Sequence, residues 1–166
     1  MEKVFGTTER HDSLIIHGTK KAVLIYGYGE EDGQGYDYRH VFDHIPTKEE
    51  VCDVIHAQVD ADTDLTILER FVWNEKPVWL SMENQFNYKA AYDLAVQSQG
   101  QSFPVKFKLG QRDGQPVYHN FEDMTEFTDF YTKAISFVNL TLNEGWVKKD
   151  AATQWVETLD LESAEG

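Results

Sequence analysis

The chain has 166 residues, 41% of them hydrophobic, and 15 Lys and Arg against 29 Asp and Glu give a formal net charge of −14. This length and apolar content suit one domain, or one domain with a small appendage, and argue against disorder throughout. The charge sets the average surface against a phosphate backbone, and no apolar run approaches the ~18 residues of a membrane span, so neither nucleic acid nor a membrane is an expected partner.

Met1–Ser13 has scattered charges and no apolar core, so no secretory leader is expected there. Ser13–His17 and Ala22–Tyr28 are β-branched runs joined by Gly18-Thr19-Lys20-Lys21, which reads as a hairpin. The glycine-rich, acidic stretch Gly27–Gly35 is read as a solvated loop. Asp32 stands where a phosphate-cradling loop would need a third glycine, and the alternating ligands of a calcium loop are missing. Tyr36–His44 alternates aromatic and polar residues and predicts a strand. His40 and His44 would then lie about two pleats apart, and no third ligand is placed nearby. His11, His17, His56 and His119 are isolated, so no metal or cofactor is expected.

Thr47 and Glu50 form a capping box at the head of a short helix through Val51, Val54 and Ile55. The lone Cys52 is read as a small buried hydrophobe there. Asp60–Leu65, DADTDL, is expected to break that helix. From Gly29 to Asp64 there are eleven acids against Arg39 and Lys48. Such a run is usually a solvated face; docking to a basic partner is the other reading, with Glu30, Glu31 and Asp32 as its candidate residues.

Phe71–Trp73 and Val78–Leu80 predict a second hairpin, and Ser81 caps a helix whose expected apolar face is Phe86, Ala90, Ala91, Leu94 and Ala95, ending at Gly100. A third hairpin follows, Val105–Leu109 and Val117–His119 around Asp113-Gly114. The next helix, about Glu122 to Glu144, carries a stripe from Met124 to Leu142, with Gly145 as its stop. An offset of 39 aligns Pro77 with Pro116 and Tyr92 with Tyr131, so the two halves echo each other. Their hairpins are expected to form one antiparallel sheet covered by the two helices. From Ala151 the chain turns acidic yet keeps Trp155, Val156, Leu159 and Leu161, which reads either as a docking segment or as a frayed end.

The expected fold class is α+β, antiparallel hairpins covered by two helices with an N-terminal β-rich segment. Three regions are expected: residues 1–60 as an attachment segment, 61–150 as the hairpin-helix-hairpin-helix domain and 151–166 as an acidic tail. Trp155, Leu159 and Leu161 join Glu30, Glu31 and Asp32 as candidate interaction residues. No catalytic residue stands out.

Phe71-Val72-Trp73-Asn74, Lys76-Pro77-Val78-Trp79-Leu80-Ser81, Glu83-Asn84-Gln85-Phe86-Asn87 and Thr128-Asp129-Phe130-Tyr131 resemble a domain of unknown function. That domain occurs in phage tail-fibre proteins and as small stand-alone proteins in structural gene clusters of phages of gut bacteria. The resemblance covers about residues 60 to 150. Relatives tend to have Gly where this chain has Glu75, which puts a type I′ turn in question. The resemblance implies a virion component of head or tail fibres and no enzyme. Capsid, portal-vertex or tail proteins would be its partners, in the virion and, during assembly, in the host cytoplasm. It also implies a homo-oligomer, of which a trimer is one form. Two other classes remain open. A carbohydrate-binding module would use Trp73, Trp79, Tyr88 and Tyr92, which read better as core; a cell-wall hydrolase would need two opposed carboxylates.

Overall fold

A computed structural model describes residues 1–161. The fold is α+β. In chain order the elements are β1 (Glu2–Phe5), β2 (Ser13–His17), β3 (Lys21–Glu31), β4 (Gln34–Phe42), α1 (Lys48–Glu69), β5 (Phe71–Trp73), β6 (Lys76–Val78), α2 (Met82–Gln97), β7 (Val105–Arg112), β8 (Gln115–Phe121) and α3 (Met124–Glu157). The chain forms two compact units, one of Met1–Asp60 with the segment from Trp146 onward, the other of Ala61–Gly145.

In the first unit four antiparallel strands are ordered β1-β4-β3-β2. Alternation along β3 buries Ala22, Leu24 and Tyr26 on one face, joined by Phe42 of β4, by Val51, Ile55 and Val59 of α1, and by Ala152 and Val156 of α3. Side chains two apart on a strand and three to four apart on a helix therefore meet in one core, mostly aliphatic but including the rings of Tyr26 and Phe42. The stretch read as a solvated loop is largely strand: β3 runs to Glu31, turns at Asp32-Gly33 and returns as β4, with a register shift between Tyr26 and Gly29. The glycine at 29 has a steric cause, since a Cβ there would lie 2.3 Å from the Tyr36 ring.

Two expected helix ends are corrected. DADTDL does not break α1, which runs 22 residues without interruption. Aspartate and threonine are only mildly poor helix formers, and buried Val59 before the stretch and Ile67 after it outweigh that preference. Gly145 does not stop α3, which continues to Glu157. It is instead a buried point of close approach, where a Cβ would meet Thr63 Oγ1 at 2.7 Å. Ala151–Glu157, read as the start of a separate tail, are the last turns of this helix, and Ala152 and Val156 are buried in the first unit.

The second unit is aromatic. Phe71, Trp73, Tyr88, Phe121, Phe127 and Phe130 are all buried. Trp73 lies 5.4 Å from Phe121 and 5.3 Å from Phe130, ring centre to ring centre. Two antiparallel ladders, β5-β6 and β7-β8, replace the single expected sheet. Outside the ladders Trp79 N–H donates to Leu109 C=O at 2.8 Å, and the Arg112 guanidinium of β7 donates to the Glu75 carbonyl in the β5-β6 turn. On α2 the apolar face is rotated from the expected one. Tyr88 and Ala95 are buried, whereas Phe86 is 71% and Leu94 56% exposed. The residues related by the 39-residue offset, Tyr92 and Tyr131, stack on each other at 4.6 Å.

Candidate interaction surfaces

Glu30, Glu31 and Asp32 sit at the tip of the β3-β4 hairpin, where Asp32 and Gly33 take φ of 50° and 76° and close a two-residue turn. The tip is internally tied. Tyr28 hydroxyl donates to Glu30 at 2.8 Å, and Lys3 Nζ reaches Glu31 at 3.0 Å. Other acids of the same stretch also serve the fold. Asp37 is buried and accepts both Nε and Nη2 of Arg39 at 2.8 and 3.1 Å. Lys149 holds Asp60 at 2.8 Å. The run of eleven acids is therefore no single patch, because its members alternate between strand faces and helix sides.

Trp155 and Leu159 pack against the first unit's own core, with the Trp155 ring 5.2 Å from Tyr26. Both are half-buried there, because helical spacing continues the buried stripe of Ala152 and Val156 toward them. Leu161 lies beyond the helix and is half-buried. Residues 162–166, the remainder of the expected tail, lie outside the described residues.

At the head of α1 the capping box is reciprocal, Thr47 N–H donating to Glu50 Oε2 at 2.8 Å and Glu50 N–H to Thr47 Oγ1 at 3.2 Å. His44 joins it, with Nδ1 2.8 Å from Asp43 and Nε2 3.0 Å from Glu50. Asp43 first, then Glu50, raises the His44 pKa, while the Thr47 amide first, then His44, lowers that of Glu50. His40 stands against Phe42 instead, and burial lowers its pKa. The two histidines thus have opposite surroundings.

Cys52 is half-buried rather than a sealed core residue. With Lys48, Glu49, Asp53, His56 and Thr153 it lines a groove of about 290 Å³ in the first unit. Its Sγ lies 3.4 Å from His56 Nε2, and that nitrogen is 3.1 Å from Lys149 C=O. A carbonyl only accepts, so the short contact assigns the hydrogen of Nε2 to the carbonyl, and that nitrogen is not a base toward the sulfur. Among the described residues no three His, Cys, Asp or Glu side chains come together as metal ligands. Helical i, i+4 spacing brings Cys52 to His56, but Thr153 arrives from α3, a contact that no local pattern in the sequence announces.

The four aromatics considered for sugar stacking fare differently. Trp73 is 2% exposed and donates Nε1–H to Asp129 at 2.9 Å. Tyr88 is also buried, its hydroxyl has no hydrogen-bond partner among the described residues, and burial pushes its pKa up to about 12. Tyr92 is stacked on Tyr131. Trp79, like Tyr92, is half-buried, with Lys108 Nζ 5.7 Å from the centre of its ring. Asn84 and Gln85 donate from their side chains to the carbonyls of Trp79 and Leu80, and Ser81 Oγ accepts from Asn84 N–H. No family model, curated protein or solved structure matches the chain.

Proposed function

We propose that this protein is a structural component of a phage particle, a fibre or adaptor part attached to the head or tail. It works by contact with itself and with other virion proteins rather than by catalysis, in the virion and, during assembly, in the host cytoplasm. The observation that carries this reading is the use made of the residues behind the phage resemblance. Phe71, Trp73, Val78, Leu80 and Phe130 fill a core, Ser81, Asn84 and Gln85 finish a helix start, and Asp129 holds the Trp73 indole. A signature consumed by folding suits a building block, whereas an enzyme's signature would converge on a cleft.

The test is a mass-spectrometric inventory of purified particles of a phage that encodes the chain. Peptides of this protein at a fixed ratio to the capsid protein are expected. Its presence in the lysate but absence from particles would overturn the reading, as would hydrolysis of peptidoglycan or polysaccharide that one Asp or Glu to Ala substitution abolishes.

A further inference from the structure

The chain has 29 acids among its 166 residues, yet from Leu94 to Phe121 the only one is Asp113, in the turn of the β7-β8 hairpin. Three cations, Lys106, Lys108 and Arg112, fall within that span. Elsewhere in the second unit helical lysines are matched, Lys89 with Asp93 at 2.6 Å and Lys133 with Asp129 at 2.8 Å. Among the described residues the β7 cations pair with no carboxylate. Arg112 donates to a carbonyl, and alternation leaves Lys106 and Lys108 on the exposed face of β7 while Leu109 enters the core. Rings stand beside them instead. Tyr118, opposite Lys108 in the ladder, is 52% exposed, and Lys106 Nζ lies 4.8 Å from the centre of its ring. Trp79 is held to β7 by its N–H bond to Leu109, and Lys108 Nζ lies 5.7 Å from its ring. Trp79, Lys108, Tyr118 and Lys106 therefore form one strip in which each ammonium borders an aromatic ring.

We infer that this strip binds an acidic polysaccharide, a chain of sugars that bear carboxylates, as uronic acids do. The match lies in how the groups are paired. A uronic acid carries an apolar C–H face and a carboxylate on the same ring, and the strip offers an aromatic surface and an ammonium side by side. Single-stranded nucleic acid also brings rings and anions, but with a charge at every nucleotide. Glu75 and Asp113 in the two turns, Glu122 on the Asn120 amide and a net charge of −14 all oppose so dense a line of phosphates. An acidic protein surface presents carboxylates on flexible stems with no apolar ring face attached, so it makes no joint use of ring and ammonium. The inference goes beyond the virion reading and depends on this strip alone, so the particle inventory and the titration below can fail independently.

The test is titration of the full chain with oligogalacturonate and with hyaluronate oligomers, followed by calorimetry and by amide shifts in NMR. Saturable binding that weakens with added salt is expected, with shifts at 106–108 and 117–119. Joint substitution Lys106→Gln and Lys108→Gln should weaken binding about tenfold, as loss of two exposed ion pairs does. Methyl-esterified oligogalacturonate, the same sugars without the charge, should bind the wild type as poorly. Tyr118→Ala should also weaken binding, and Tyr118→Phe should not. Failure of both acidic oligomers to bind at millimolar concentration would overturn the inference, as would unchanged affinity in the folded lysine variant or in Tyr118→Ala. Polyglutamate bound as tightly would point to an acidic protein instead, and oligothymidylate bound more tightly to a nucleic acid; either overturns it. Should the lysine variant fail to fold, the wild-type shifts decide, and changes confined to residues outside β5–β8 overturn it.

Discussion

The two units solve the same problem with different materials. The first buries mostly aliphatic side chains between an alternating sheet and pieces of two helices, and its core draws on residues across most of the chain, from Leu24 to Val156. The second buries rings, and its polar anchors are short-range or specific, such as Asn84 to Trp79 and Trp73 to Asp129. An aliphatic core built from distant segments leaves little trace in any one stretch of sequence. An aromatic core with local caps leaves short patterns in the sequence, such as the Ser81 cap of the second unit.

The largest expected effect breaks the first unit by removing one of its distant pieces. Truncation after Asp150 strips Ala152 and Val156 from its core, and the expected result is loss of cooperative unfolding for that unit by calorimetry. A chain that melts like the full-length protein would show that these turns are dispensable. Next, Trp73→Ala in the second unit should cost about 3–5 kcal/mol, as large aromatic truncations in cores do. Half-buried Trp79→Ala should cost clearly less. Urea denaturation of both variants ranks them, and the reverse order would defeat the assignment of Trp73 as the central ring.

A smaller change of opposite sign is expected at the turn between β5 and β6. Asn74 and Glu75 both adopt left-handed φ, 46° and 60°, so the type I′ turn forms although Glu replaces the usual Gly. Because a non-glycine residue there carries a penalty of about 1–2 kcal/mol, Glu75→Gly should raise stability by part of that amount, less the extra freedom glycine gives the unfolded chain. An unchanged or lower denaturation midpoint would count against strain at Glu75.

The smallest effect concerns pH in the first unit. With Asp43 and Glu50 raising the pKa of His44 above its ordinary value of 6.5, the His44 link contributes fully below that pH. The contribution is lost as pH rises through the higher folded value. The melting-temperature difference between wild type and His44→Ala should therefore shrink from slightly acid to slightly alkaline solution, and the His44 ring should titrate above pH 6.5 by NMR. A difference that grows with pH would contradict the geometry.

Much of the local structure was legible from residues alone. The Asp113-Gly114 turn, the Thr47-Glu50 box, the Ser81 cap and the stripe through Phe127, Phe130, Ala134 and Val138 each follow from patterns a few residues long. What escaped was set by partners far along the chain. Gly145 has the signature of a helix stop, and only Thr63 across the second unit shows why a glycine is needed inside the helix. The acidic letters after Ala151 suggested a separate tail, either a docking segment or a frayed end, because the strands that bury Ala152 and Val156 lie more than a hundred residues earlier. Among the candidate surface residues, Glu30, Glu31 and Asp32 stand at a hairpin tip, whereas Trp155 and Leu159 turn inward. Burial of that kind is a property of the assembled unit.

The first unit's division between the two ends of the chain bears on the order in which a ribosome makes it. The strands β1 to β4 emerge early, but Ala152 and Val156 come only after all of Ala61–Gly145 has been made. The second unit is contiguous and has all its residues before then, in keeping with domains folding as units during synthesis. Throughout that interval the nascent N-terminal sheet lacks the helix that completes its core, and every polysome carries several such sheets close together.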